Sequence, residues 1–143
     1  MSVHLSHAVV ETVRREGRKS YPHECCGFLI GRIEDGDARR IARVEPVENA
    51  REDEAKHNRY LIAPERFMAV ERNARKDGLD VLGFFHSHPD APARPSAFDV
   101  EQAWPWYIYV IVSIEQGEPA DMTAWTLQDD RSQFDEVEMK IED

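Results

Sequence analysis

The segment Gly83-Phe84-Phe85-His86-Ser87-His88-Pro89-Asp90-Ala91-Pro92-Ala93-Arg94-Pro95-Ser96-Ala97-Phe98-Asp99 decides how the rest of the chain is read. Residues 81–88 form an apolar run that reads as a buried strand with two histidines at its far end. Pro89, Pro92 and Pro95 stiffen the loop that follows. Ser96-Ala97-Phe98-Asp99 then has the pattern of a capping box, which starts a helix, and Pro105 limits that helix. Residues i and i+2 of a strand project from one face, so His86 and His88 present both imidazoles to one ion. Asp99, in the first turn of the next helix, brings a carboxylate back over the strand end. Three nitrogen and oxygen ligands with a fourth position left to water is the arrangement of a catalytic zinc site. Taken singly, His-x-His is a polar strand end and Ser-x-x-Asp a helix cap. Their combination and order point to a metal.

Working outward, residues 6–19 carry Ala8, Val9, Thr12 and Val13 at helical spacing, with Ser6 as N-cap and basic residues in the last turn. Residues 25–31, Cys-Cys-Gly-Phe-Leu-Ile-Gly, read as a buried strand, and Asp35-Gly36 as a hairpin turn. Residues 38–47 are the return strand, ending near Asn49. Residues 50–59 are dense in both charges and read as a solvated, mobile loop. Tyr60-Leu61-Ile62 is a short strand candidate, and Pro64 opens a helix that Asp77-Gly78 ends. Residues 106–114 are the most strand-like stretch, and a turn near Gly117 leads into a strand through Leu127. The tail, residues 134–141, alternates loosely and fits either an edge strand or a short helix.

The chain has 143 residues, the size of a single domain over 1–143. With 41% hydrophobic residues there is material for a core, and the longest apolar stretch, residues 104–114, is about half of what crosses a bilayer. Eighteen basic against 28 acidic residues give a formal charge of −10, a field that argues against nucleic acid and anionic membranes as partners. Cys25 and Cys26 are adjacent and too few for a disulfide framework, which favours a reducing compartment. The first residues lack the pattern of a secretory signal, and the expected location is the cytoplasm. The cysteines read as small core residues. His4, His7 and His57 have no companion motif and read as surface residues.

The line GFFHSHPDAPARPSAFD resembles the signature of the JAMM (MPN-plus, Mov34-PAD-like) zinc metalloproteases, in which His-x-His, seven residues, Ser, two residues and Asp follow an upstream Glu. PHECCGFLIG resembles that family's first strand, so Glu24 matches the general base. His23-Glu24 does not open a His-Glu-x-x-His motif, because Gly27 stands at the fifth position, and no Cys-x-x-Cys is present for a zinc deaminase.

The resemblance implies an α/β (α+β) fold, a curved mixed β-sheet flanked by helices in a deaminase-like arrangement. It implies one zinc ion on His86, His88 and Asp99, which lowers the pKa of its bound water. Glu24 takes that proton and hands it to the leaving amine, and Ser96 donates a hydrogen bond to the oxyanion. Ser87, between the two ligands, points away from them and packs or supports. Family members cut peptide or isopeptide bonds at the C-terminus of ubiquitin-like proteins, binding the tail as an added strand. With no long insertion between the third helix and Trp125, the chain is similar to the compact prokaryotic enzymes that act on ubiquitin-like sulfur carrier proteins with a Gly-Gly tail. The leading expectation is hydrolysis at that tail. The alternatives are an isopeptidase acting on lysine conjugates and a non-catalytic interaction module, against which the intact ligand set argues.

Overall fold

Strand β4 (Asp80–Pro89) organises the molecule, and every residue from Val81 to His88 is buried. A strand reads as a continuous apolar run only when both faces are covered, and here they are. Phe85 belongs to the core under helix α1 (His7–Ser20), whereas Val81 and Phe84 belong to the core that holds Val70 and Ala74 of helix α2 (Pro64–Lys76). The structure is a computed structural model, in which residues 1–51 and 60–143 are described. Residues 52–59, most of the stretch expected to be a mobile loop, and His57 with them, lie outside the described residues.

The remaining strands are β1 (Ser2–Leu5), β2 (Cys26–Glu34), β3 (Ala38–Val47), β5 (Ile108–Glu115), β6 (Glu118–Leu127) and β7 (Phe134–Ile141), and a short helix α3 (Ala97–Gln102) precedes β5. They pair in the order β1-β3-β2-β4-β5-β6-β7. β2 is antiparallel to β3 and β4, β4 is parallel to β5, and β5, β6 and β7 follow as antiparallel neighbours. The fold class is the expected one, a curved mixed sheet flanked by helices. The curvature goes further than expected, because β1 pairs in parallel with both β3 and β7 and closes the sheet into a barrel.

Local sequence accounts for most boundaries. Ser6 caps α1, accepting from the Val9 amide at 3.1 Å. The buried stripe of α1 is Val9, Val10, Val13 and Gly17, so Ala8 faces solvent where the periodicity placed it inward. The β2–β3 turn falls at Gly36, whose φ of +75° favours glycine. Gly83 serves packing instead, because a Cβ there would stand 1.9 Å from the Ile108 carbonyl oxygen on β5.

Two expectations are corrected, and one strand was not foreseen. The first residues form strand β1, which is too short to show a period but gains both edges as partners. Tyr60-Leu61-Ile62 is not a strand, because the Leu61 amide and carbonyl bond to Asn49 and Ala50 rather than to a ladder. The tail is a strand and not an edge, since β6 and β1 flank it. Among the described residues no helix is long and apolar enough to cross a membrane.

Candidate metal centre

The two histidines leave β4 on the face of Phe84, opposite to Phe85 and Ser87, as the strand period requires. Helix α3 supplies the third group. Its capping box is formed: Ser96 Oγ accepts from the Asp99 amide at 3.1 Å, and the Ser96 amide donates to Asp99 Oδ2 at 2.9 Å. The box that starts the helix therefore also aims the Asp99 carboxylate at the strand end. His86 Nε2 and His88 Nε2 lie 3.1 Å apart, and Asp99 Oδ2 is 3.3 Å from the first and 3.1 Å from the second. All three residues are buried.

Three ligand atoms this close together could hold a metal ion. His88 Nδ1 is held at 2.8 Å from the Pro92 carbonyl, a contact in which the ring N–H donates. In the neutral ring Nε2 is then a lone pair, and it faces a carboxylate oxygen, which is also an acceptor. Donors held about 2.0–2.1 Å from a tetrahedral ion stand about 3.3 Å apart, close to the distances found here. The three residues fit a small metal ion.

Burial and charge oppose one another at these groups. Burial holds the His86 ring below its ordinary pKa and so keeps it neutral. For Asp99, burial is outweighed by the facing His86 and His88, which hold the carboxyl well below the usual range.

Glu24, just before β2, is 5% exposed, and its Oε1 has no hydrogen-bond partner among the described residues. Burial pushes its carboxyl up to about 8, with His88 pulling it back and Asp99 pushing it further. A cation held by the triad would favour the ionised carboxylate and lower that pKa. Ser96 is exposed, and its Oγ uses only an acceptor site in the capping box, so the hydroxyl hydrogen is left to donate.

Ser87 points away from the ligands. Its Oγ accepts from the Cys25 amide at 2.8 Å, and its own amide donates to the Cys25 carbonyl at 3.2 Å, which ties down the residue after Glu24. Cys25 and Cys26 are buried free thiols, and burial pushes Cys25 up to about 12. His7 is exposed, while His4 is partly buried, 2.7 Å from Glu142.

Three features escaped the sequence reading. The Tyr60 ring stacks on His86 with centroids 4.6 Å apart. The Asn49 amide donates to the Glu24 carbonyl at 3.3 Å. Ser113 and Thr123 donate to the Ala91 and Ala93 carbonyls at 2.6 and 2.7 Å, which steadies the loop whose Pro92 carbonyl orients His88. The only local sign of any of them was Asn49 at the close of a strand.

The mixed sheet flanked by helices agrees with the JAB/MPN fold, and comparison with known proteins gives the class. The family described as prokaryotic homologues of the JAB domain matches residues 6–128, and the chain belongs to it. Desampylase of Haloferax volcanii is 39% identical over 111 residues, covering 76% of this chain and 72% of its own. Desampylase of Pyrococcus furiosus is 29% identical over 119 residues, 83% of this chain and 76% of its own. A probable TtuB-protein conjugate cleaving protease of Thermus thermophilus is 29% identical over 101 residues, 71% of this chain and 63% of its own. Among solved structures, a protein from Desulfitobacterium hafniense superposes with a TM-score of 0.85 at 33% identity, covering 99% of this chain and 93% of that one. A JAB1/MPN domain protein from Archaeoglobus fulgidus, 18% identical, shares the fold with a TM-score of 0.56, covering 100% of this chain and 97% of that one. With membership and these enzyme-named relatives, the chain is a hydrolase.

Proposed function

We propose that this protein is a zinc-dependent peptidase or isopeptidase that cleaves at the C-terminal Gly-Gly tail of a ubiquitin-like sulfur carrier protein, working as one domain in the cytoplasm. The observation that carries the reading is the convergence of His86, His88 and Asp99 beside a buried glutamate, one oxygen of which has no hydrogen-bond partner among the described residues. The relatives' names support a ubiquitin-like partner, and one of them specifies conjugate cleavage. That favours the isopeptide bond of a lysine conjugate over a linear extension of the tail.

His86, His88 and Asp99 would hold the zinc, which when bound would supply a Lewis acid and a water of lowered pKa. Glu24 accepts the proton of the attacking water and delivers it to the leaving amine, a role that suits a carboxylate with one buried oxygen lacking a hydrogen-bond partner among the described residues. Ser96 donates its free hydroxyl hydrogen to the carbonyl oxygen as charge develops there. Burial of the ligands and of Glu24 keeps bulk water from competing for these groups.

The test is the intact mass of two probes after incubation. One is the host's Gly-Gly-tailed carrier extended by a C-terminal cysteine, and the other is the same carrier joined to a lysine side chain. The wild-type protein is expected to process the lysine-linked probe faster, and a chelator abolishes both reactions. Glu24→Gln keeps zinc and loses cleavage, whereas His88→Ala loses both. Wild-type cleavage by Glu24→Gln refutes the mechanism.

A further inference from the structure

The β2–β3 ladder ends at the pair Cys26 and Val47, yet Glu24 lies beyond it. Its backbone is held from two sides. On the β4 side, Ser87 exchanges hydrogen bonds with Cys25. On the β3 side, the side chain of Asn49 extends the ladder, its Nδ2 donating to the Glu24 carbonyl at 3.3 Å. The oxygen of the same amide accepts from the Arg51 and Leu61 amides, both at 3.0 Å, and the Ala50 amide donates to the Leu61 carbonyl at 2.8 Å. Leu61 follows Tyr60, whose ring lies on His86. One planar amide thus touches the main chain of Glu24 and the residue next to the tyrosine that covers a ligand.

Glu24 Oε1 has no hydrogen-bond partner among the described residues, so the contacts that hold the Glu24–Cys25 peptide fix where the side chain starts from. From this geometry we infer that Asn49 is a positioning residue that holds Glu24 in place for proton transfer. The inference rests on the proposed role of Glu24 as base. Asparagine suits the position because one group carries both donor and acceptor. Aspartate keeps the acceptor for Arg51 and Leu61 and loses the donor to Glu24, so Asn49→Asp separates the two functions. Alanine removes both.

Zinc content, kcat and KM of each variant are measured with the cysteine-extended and lysine-linked carriers as probes. Asn49→Asp is expected to keep its zinc and its KM within about twofold while kcat falls on the order of 10- to 100-fold, the cost of a misplaced catalytic group. Asn49→Ala lowers kcat similarly and also raises KM, because the Leu61 contact goes with it. On the residual rate of Glu24→Gln, read over long incubations, Asn49→Asp causes no further loss, since residues acting as a unit are not additive.

A wild-type kcat in Asn49→Asp, a raised KM alone, loss of zinc, or an equal loss in the Glu24→Gln background overturns the inference. If Asn49→Ala does not fold, Asn49→Asp is read alone. If neither folds, Asn49 is a folding determinant and the inference fails. Wild-type cleavage by Glu24→Gln overturns instead the proposed function beneath it.

Discussion

Replacing Glu24 by glutamine removes a titrating group while keeping its shape, and its clearest effect falls on the stability of the metal-free protein. Burial raises the Glu24 carboxyl from 4.5 to about 8 in the folded chain. In the unfolded chain it ionises near its ordinary value. Between these limits the folded state holds a proton that the unfolded state has released, so the contribution of Glu24 to stability is full below pH 4.5 and is lost as pH rises towards 8. At 1.36 kcal/mol for each tenfold change in acidity, the displacement corresponds to a ceiling of about 5 kcal/mol. That is a large share of the 5–15 kcal/mol typical of a domain.

The assay is urea unfolding in the presence of a chelator, followed by the fluorescence of Trp104, Trp106 and Trp125, from pH 5 to pH 9 at constant ionic strength. Wild-type protein is expected to lose about 2–5 kcal/mol relative to Glu24→Gln across this range, with the two close at pH 5. Saturating zinc flattens the wild-type profile, because a nearby cation stabilises the ionised carboxylate. Parallel wild-type and variant profiles without metal would refute the claim that Glu24 is held in a desolvated position.

The other predictions are read more simply. Ser96→Ala removes an N-cap and the proposed oxyanion donor, so about 1 kcal/mol of stability is lost and kcat falls about 10²-fold at similar KM. Ser87→Ala leaves the buried Cys25 amide without its acceptor, which costs about 1–3 kcal/mol in chemical denaturation and also lowers kcat. Gly83→Ala drives a methyl group into the Ile108 carbonyl and is expected to lower the melting temperature sharply or prevent folding, while Gly36→Ala meets no atom and is strained only by its positive φ, at a cost of about 1–2 kcal/mol. Chelation lowers the melting temperature of the wild type, added zinc restores it in proportion to the logarithm of its free concentration, and His88→Ala shows neither response.

The sequence by itself determined the parts of this protein that depend on near neighbours. His86 and His88 share a face because a strand alternates, and Asp99 turns towards them because a capping box fixes the first turn of α3. Glu24 was legible only through its match to a family pattern, since nothing in its immediate surroundings separates a base from a solvent-facing strand start. Most element boundaries, such as α2 from Pro64 to Lys76 and β3 from Ala38 to Val47, followed from turn residues and period.

Tertiary structure alone decided the rest, because it depends on groups far apart in the chain. β1 and β7 are too short and too loosely patterned to identify as barrel strands until each finds its partners, 136 residues away in the pair Ser2 and Glu138. The burial that raises Glu24 exists only once the chain is folded. The Asn49 amide becomes informative only when a hairpin brings it to a carbonyl 25 residues earlier. Tyr60 reads as part of a strand until its ring is laid on His86. Local pattern specifies which side chains can act, and long-range packing specifies how dry they are and what holds them still.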